Sequence, residues 1–444
     1  MTVISNATSA PSGSPAAATT TPPGPDHARR RRHHSFGFWA TAAAFLVNMG
    51  FSAVPTPLYV LYQRRDHFST ITLTVVFGAY AIGVVASLFF GGHLSDRLGR
   101  KRVLVPALLV NVVSGLIFVL APSLAGLLVA RVVSGVSIGL TTATATAYLS
   151  ELHRERLAHG SDSTQRARSS QTAGSSQTAS SSQTAQIVAT AANLGGIGVG
   201  PLVAGLLAQY APQPLRLSYY VFGATLLVLS LFIALSPETA DRPDPMPRYR
   251  PQRIAVPPHA RRMFLAATAT GAATFAVYGV FTSLAPSFLA GTLHQTSHAV
   301  AGAVAFTAFA AGALAQIAMS RAGLRTTLRT GPLLLIPGLA LMIAGMWLPD
   351  LTTFVIGGAL AGAGAGISFR AAITAAASTA APESRAEVLA GFFLGAYVGL
   401  TVPVVGLGIA TQHVSARSAM VVFAALVVVA VVACTRVVRV AADK

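Results

Sequence analysis

The chain has 444 residues, of which 53% are hydrophobic and only 10% are Asp, Glu, Lys or Arg, against about 25% charged in soluble domains. So large a deficit over this length excludes a string of soluble domains and calls for an all-α polytopic membrane protein. The formal net charge of +18 hints at nucleic acid, but the basic residues sit in short loops between apolar runs, which excludes a basic binding face.

Residues 1–35, rich in Ala, Thr, Ser and Pro with no apolar core before Phe36, read as a disordered cytoplasmic tail and not as a signal peptide. The tail ends in Arg29-Arg30-Arg31-Arg32-His33-His34, a cluster suited to holding the N-terminus inside and touching anionic lipid. Twelve apolar spans are then predicted. The first six lie near Phe38–Leu61, Ile71–Phe90, Val103–Ala121, Leu124–Leu149, Ile187–Gln209 and Ser218–Leu235. The second six lie near Met263–Ala290, Ala299–Ser320, Gly331–Leu348, Leu351–Ala380, Val388–Thr411 and Ser418–Cys434. An even number returns both termini to the cytoplasm. Basic residues agree: one set of loops is rich in them, and the other holds only Arg64, Arg65, Arg216 and Arg417.

Two loops divide the chain further. Pro237–Arg262 carries seven prolines and six arginines and reads as a cytoplasmic linker, 237–262, between an N-terminal six-helix bundle, 36–236, and a C-terminal one, 263–436. Residues 437–444 form a cytoplasmic tail. Within the first bundle, 159–185 repeats Ser-Ser-Gln-Thr-Ala from Ser169, Ser175 and Ser181 and reads as a flexible insertion. Weak internal symmetry supports two pseudo-symmetric halves: Gly135-x-x-x-Gly139 in span 4 matches Gly362-x-x-x-Gly366 in span 10. Cys434 is the single cysteine, so no intrachain disulfide forms.

The most specific stretch is Gly92-His93-Leu94-Ser95-Asp96-Arg97-Leu98-Gly99-Arg100-Lys101-Arg102, between spans 2 and 3. Two glycines permit close backbone approach, Asp96 sits beside a helix end and the cations face inward. With Leu104 it resembles the Gly-x-Leu-x-Asp-Arg-x-Gly-Arg-Lys-x-x-Leu loop of major facilitator superfamily transporters. That resemblance covers about 36–439 and implies alternating access between two six-helix bundles. It also implies that Asp96 docks on the N-terminus of span 11, at Ser384-Arg385-Ala386-Glu387, in the outward-open state, which makes Gly92, Asp96, Arg97, Gly99, Arg100 and Lys101 a conformational gate loop.

Within the spans, Arg131 and Arg370 stand out, because an unpaired arginine at a span centre costs roughly 2.5–3.5 kcal/mol. With Gly135 and Gly139, Arg131 resembles the superfamily's Arg-x-x-x-Gly-x-x-x-Gly motif, which implies a part in proton transfer. The bland alternative is that each arginine snorkels to the nearest interface. Gly196, Gly200, Pro201 and Gly205 in span 5 resemble the Gly-x-x-x-Gly-Pro-x-x-Gly motif of drug:proton antiporters, with the last glycine one residue late. The acidic residues all fall in loops or at span ends. Coupling to protons, implied by the family alone, would then run through Asp96, Glu151, Asp66, a histidine or a route that the sequence does not show.

A substrate site midway between the halves is expected on spans 1, 4, 7 and 10, with Asn48, Tyr59, Thr142, Thr146, Phe275, Tyr278 and Phe281 as lining candidates, each equally able to be ordinary packing. Such a lining suits apolar or neutral molecules better than strong cations. Pro55 and Pro57 would let span 1 bend at an outer gate. No metal-ligand spacing, phosphate loop or nucleophile elbow appears, so neither enzyme chemistry nor a metal or cofactor is expected. The reading is a monomeric plasma-membrane transporter of small molecules, driven by protons, exporting drug-like compounds. Uptake of a sugar or nutrient, or sensing on the same fold, are the alternatives.

Overall fold

A computed structural model describes residues 25–91, 94–158, 183–239, 256–380 and 384–442. Among them are twelve helices long and apolar enough to cross a membrane, and no strand. Spans 1 to 6 are Arg32–Asp66, Thr70–Gly91, Arg100–Leu120, Leu124–Leu157, Gln183–Tyr210 and Pro214–Ala234. Spans 7 to 12 are Pro258–Ser283, His298–Ala318, Leu324–Trp347, Leu351–Ala377, Glu387–His413 and Ala416–Ala441.

Most boundaries differ from expectation in one direction: the helices outrun the apolar runs. The helix containing span 4 runs Leu124–Ala158, about 52 Å at 1.5 Å per residue, where hydrocarbon is only about 30 Å thick. Its last turns carry Glu151 and His153 on helical backbone beyond any apolar run, because helix-forming residues continue where hydropathy stops. The first helix likewise starts at Pro25, inside the stretch 1–35 expected to be disordered. Gln183–Ala185, the end of the predicted insertion, are helical. The rest of that insertion and residues 240–255 of the predicted linker lie outside the described residues.

Two spans are broken. Span 1 turns at Val54, between helices Pro25–Ala53 and Pro55–Asp66. Span 7, expected as one helix to Ala290, ends at Ser283 and restarts as Ala285–Gly291. Each second piece begins with proline within its first two positions, where the missing N–H costs nothing. The breaks occupy equivalent places in the two halves.

Spans 1 to 6 pack together, as do spans 7 to 12. The halves meet along two seams, span 5 against span 8 and span 2 against span 11. Between the seams, spans 1 and 7 touch near their breaks, where the Thr56 hydroxyl donates to the Thr282 carbonyl at 2.9 Å. Every residue from 48 to 60 and from 276 to 286 is buried there. Toward the opposite face, which carries the Asp96 loop, spans 4 and 10 pack on helices of their own halves, and Thr146 and Thr374 are exposed. The molecule is thus sealed on the Arg65 side and parted on the Asp96 side.

Candidate functional site

The break in span 1 creates a charge site. Pro55 and Pro57 have no N–H, so the carbonyls of Phe51 and Ala53 lose their helical donors. The Val54 N–H turns back to Phe51 O at 3.2 Å. The Ser52 carbonyl accepts Arg131 Nη1 at 2.6 Å. The guanidinium carbon lies 5.1 Å from the Tyr80 ring centroid and 5.6 Å from that of Phe77, within cation–π range. Arg131 is only 2% exposed, so it does not snorkel to an interface. A helix carboxyl end and two π faces hold it instead.

Tyr80 links this charge to the seam between the halves. Its ring lies 6.1 Å from Tyr397 of span 11, and Tyr397 stands edge-on to Phe275 of span 7 at 5.5 Å. Phe275 stacks on Phe369 of span 10 at 4.7 Å, with Phe392 and Phe393 beyond. Spans 2, 7, 10 and 11 thereby build one aromatic cluster across both halves, on the parted side of the seal. Its members Phe275, Phe369 and Tyr397 are partly accessible.

On the Asp96 face a polar clamp ties the loop to its own half. Arg100 donates to Glu151 at 2.7 Å, to Ser95 Oγ at 2.8 Å and to Asp96. Glu151 Oε2 also accepts the Thr239 hydroxyl at 2.6 Å. The Arg100 N–H donates to Glu238 at 2.8 Å, and Lys101 donates to Ser236 O at 3.2 Å. Gly99 has φ 107°, a conformation that favours glycine, and it brings the chain against Glu238. Arg97 shares the short helix Leu94–Leu98, and Gly92 lies outside the described residues. Asp96, with a side chain 62% exposed, pairs with Arg100 of its own half. Docking on span 11 was expected for the outward-open state.

The glycines of span 5 face two ways. A Cβ added at Gly200 would lie 2.7 Å from the carbonyl carbon of Gly50 on span 1, and one at Gly196 2.8 Å from Met49 Cβ. One at Gly205 would lie 3.2 Å from the carbonyl carbon of His298 on span 8, and one at Gly302 2.9 Å from that of Pro201. The π-helical turn Ala191–Gly195 precedes this stretch. The motif therefore brings the span 5 backbone against both span 1 and span 8. The predicted internal symmetry has a packing counterpart too. Gly135 meets Gly83 of span 2 as its counterpart Gly362 meets Ala308 of span 8, with the added Cβ 3.0 Å from the partner Cα in each.

Two six-helix halves, a broken helix in each and glycine seams between them define the architecture, and the sequence profile of the Major Facilitator Superfamily matches residues 40–336. The chain belongs to the Major Facilitator Superfamily. It is a multi-pass membrane protein, and the crystal structure of a mutant of the nucleoside transporter NupG shares its fold. The two have a TM-score of 0.62 at 14% identity, over 90% of this chain and 99% of that one. Among curated relatives, the arabinose-proton symporter of Bacillus subtilis (strain 168) is 31% identical over 77 residues, 17% of each chain. Multidrug resistance protein 2 of the same organism is 29% identical over 96 residues, 22% of this chain and 24% of that one. The chain thus aligns with about a fifth of the length of the curated relatives it matches.

For a superfamily member, the expected lining residues divide sharply. Phe275 belongs to the inter-half cluster. Asn48 does not: it is fully buried, bonds Thr141 at 2.9 Å and Ser137 at 3.2 Å, and accepts from Asn111 at 2.7 Å. Its amide is consumed inside the first half. Tyr278 donates to Gly362 O at 2.8 Å and stacks on Phe309 at 4.6 Å, and Phe281 packs beside Gly358 with no exposure. Both are packing residues of the second half. Tyr59 is buried with its hydroxyl unpartnered, while the Thr142 and Thr146 hydroxyls return to their own helix. Arg370 donates to Ser320 O at 2.7 Å, and Ser320 Oγ accepts from Gln183 at 3.0 Å, which joins spans 5, 8 and 10 near the Asp96 face. Tyr80, Tyr397 and Phe369 escaped the sequence reading. In chain order they are ordinary aromatics of apolar spans, and spans 2 and 11 were not expected to line the site.

Proposed function

We propose that this superfamily member is a secondary-active transporter that exports small apolar, drug-like molecules by proton antiport. The observation that carries this reading is the aromatic cluster of Tyr80, Phe275, Phe369 and Tyr397 at the junction of the halves, sealed from one side and parted toward the other. Stacking faces bind ring-bearing molecules with little hydrogen-bond selectivity. A sugar, with a hydroxyl on most carbons, needs a matching set of polar partners. Because basic residues favour the cytoplasm, the Asp96 side is assigned to it, with both termini inside the plasma membrane. The protein then works as a monomer that needs no cofactor beyond the proton gradient.

Alternating access follows from the two contact sets. With the Thr56–Thr282 contact closed, substrate enters from the Asp96 side. Closing the halves there brings Asp96 to the positive end of span 11, worth about 0.3–1 kcal/mol at an exposed helix N-terminus, while spans 1 and 7 part. The arabinose-proton symporter match favours a second reading, sugar uptake by symport.

Everted vesicles with an acidic interior and a pH-quenched dye test the export reading. Dequenching by hydrophobic dyes or antibiotics, lost with Asp96→Asn, supports export. Silence from inserted, folded protein rejects export, and entry of labelled pentoses or hexoses into right-side-out vesicles, driven by acid outside, then supports uptake by symport, which lack of entry rejects.

A further inference from the structure

Spans 9 and 12 are tied together at the Asp96 face by an arginine. In span 9 the helical donor for the Leu328 carbonyl would be the N–H of residue 332, and Pro332 has none. Arg439, near the end of span 12, supplies one instead: its Nη2 donates to Leu328 O at 2.6 Å, across 111 positions of sequence. The Arg439 Nε–H has no partner among the described residues. Counted round each helix from this contact at about 100° per residue, Arg325 and Arg329 lie about 60° and 100° away on span 9, and Arg436 about 60° away on span 12. The two spans run antiparallel, so both turns lead to the same side, and the three arginines border one groove. All three are exposed. No carboxylate of a described residue pairs with Arg329, Arg436 or Arg439.

Deeper in the membrane the same faces become apolar. Leu333 and Ile336 continue the Arg325–Arg329 face of span 9, and Val429, two turns before Arg436, continues the face of span 12; all three are exposed. Arg329 lies about 6 Å along the axis from Leu333, within the headgroup layer of roughly 5–8 Å that borders the hydrocarbon. Span 9 begins at Leu324 without a side-chain cap, so the positive end of its dipole adds to the arginines. Positive charge above an apolar, lipid-facing groove complements an amphiphile with an anionic head. A water-soluble anion would leave Leu333, Ile336 and Val429 uncovered.

We propose that the groove between spans 9 and 12 binds an anionic phospholipid from the leaflet on the Asp96 face. Its phosphodiester takes charge-assisted hydrogen bonds from Arg325, Arg329 and Arg436, and an acyl chain lies along Leu333, Ile336 and Val429. The site does not depend on what the protein carries or in which direction.

The test reads lipid contact by tryptophan quenching, since Trp39 and Trp347 are the only tryptophans. Trp39→Phe leaves Trp347, at the far end of span 9, as the control. Trp39→Phe with Trp347→Phe and Leu333→Trp puts a single reporter in the groove. Each full chain is reconstituted in phosphatidylcholine vesicles containing phosphatidylglycerol or phosphatidylcholine brominated on the acyl chain near the glycerol. The groove reporter should need roughly fivefold less brominated phosphatidylglycerol than brominated phosphatidylcholine, the worth of about one arginine at an anionic headgroup, whereas Trp347 should respond to both alike. Arg325→Gln, Arg329→Gln and Arg436→Gln together should remove the preference, and the three corresponding lysine substitutions should keep most of it. Arg436→Gln alone should lower the preference, and it carries the test if the triple variant does not insert. Equal quenching by the two lipids in the groove, a preference matched at Trp347, or one that survives the triple variant overturns the proposal. Loss of the preference on adding inorganic phosphate, where chloride at the same ionic strength leaves it intact, also overturns it and assigns the arginines to a free anion.

Discussion

Replacing Gly200 by alanine should loosen the contact between spans 1 and 5, whereas the same change at Gly223 should not. At Gly200 the new Cβ would sit 2.7 Å from the carbonyl carbon and 2.9 Å from Cα of Gly50. Both are backbone atoms that cannot rotate away, so the helices must separate by several tenths of an ångström or more. Overpacking of this kind costs about 1–3 kcal/mol, and the clash with rigid backbone favours the upper half of that range. Alanine recovers about 0.8–1 kcal/mol of helix propensity, leaving a net loss of roughly 1–2 kcal/mol. At Gly223 of span 6 an added Cβ meets nothing within 4 Å, so only the propensity term remains, a gain of about 0.5–1 kcal/mol. Thermal unfolding of both variants in detergent, followed by light scattering and intrinsic fluorescence, reads the difference. Gly200→Ala should melt below wild type and Gly223→Ala at or above it. A Gly200→Ala protein as stable as wild type would refute the close approach of spans 1 and 5.

Other consequences are open to the same kind of measurement. Glu151→Gln removes the charge that Arg100 and the Thr239 hydroxyl share, and should cost about 1–2 kcal/mol in the same melts; an unchanged melt would mean the clamp is not formed in solution. Tyr278→Phe deletes the buried bond to Gly362 O and should cost about 1 kcal/mol, with no cost if the hydroxyl is solvated. Thr56→Val removes the Thr56–Thr282 bond and should shift the population toward opening on the Arg65 side by about 0.5–1.5 kcal/mol. Spin-label distances across spans 1 and 7 that stay unchanged would remove that bond from the gate. Asp350 caps span 10, and the Thr353 hydroxyl and the Thr353 and Thr352 N–H groups hold its carboxyl below its ordinary 3.8. Because the folded value is the lower one, the cap's contribution is complete above 3.8 and is lost as pH falls through the folded value. The stability gap between wild type and Asp350→Ala should therefore shrink only in that acid window.

The twelve spans, their pairing into two halves and the glycine contacts were readable from the linear chain because each rests on a local or short-period signal. A bilayer demands some twenty apolar residues per crossing, and small residues four apart mark close helix contacts in lipid. Gly135 and Gly366 could thus be chosen without a structure. Helix ends were less legible: helices continue on backbone propensity past the apolar run, as at Glu151 and at Pro25.

Which face of a span meets the other half is set by packing of elements distant in sequence. Only the tertiary structure separated Phe275, which joins the cluster, from Tyr278 and Phe281, which pack inside the second half. Nothing local distinguishes Asn48, spent on Thr141, Ser137 and Asn111, from an asparagine that faces a substrate. Tyr80 and Tyr397, 317 positions apart by number, become neighbours because spans 2 and 11 form a seam. The sequence marked Arg131 as costly, since charge in hydrocarbon is expensive wherever it sits. The fold decided that its partners are a broken helix and two rings, and that one of its donors is left without a protein acceptor.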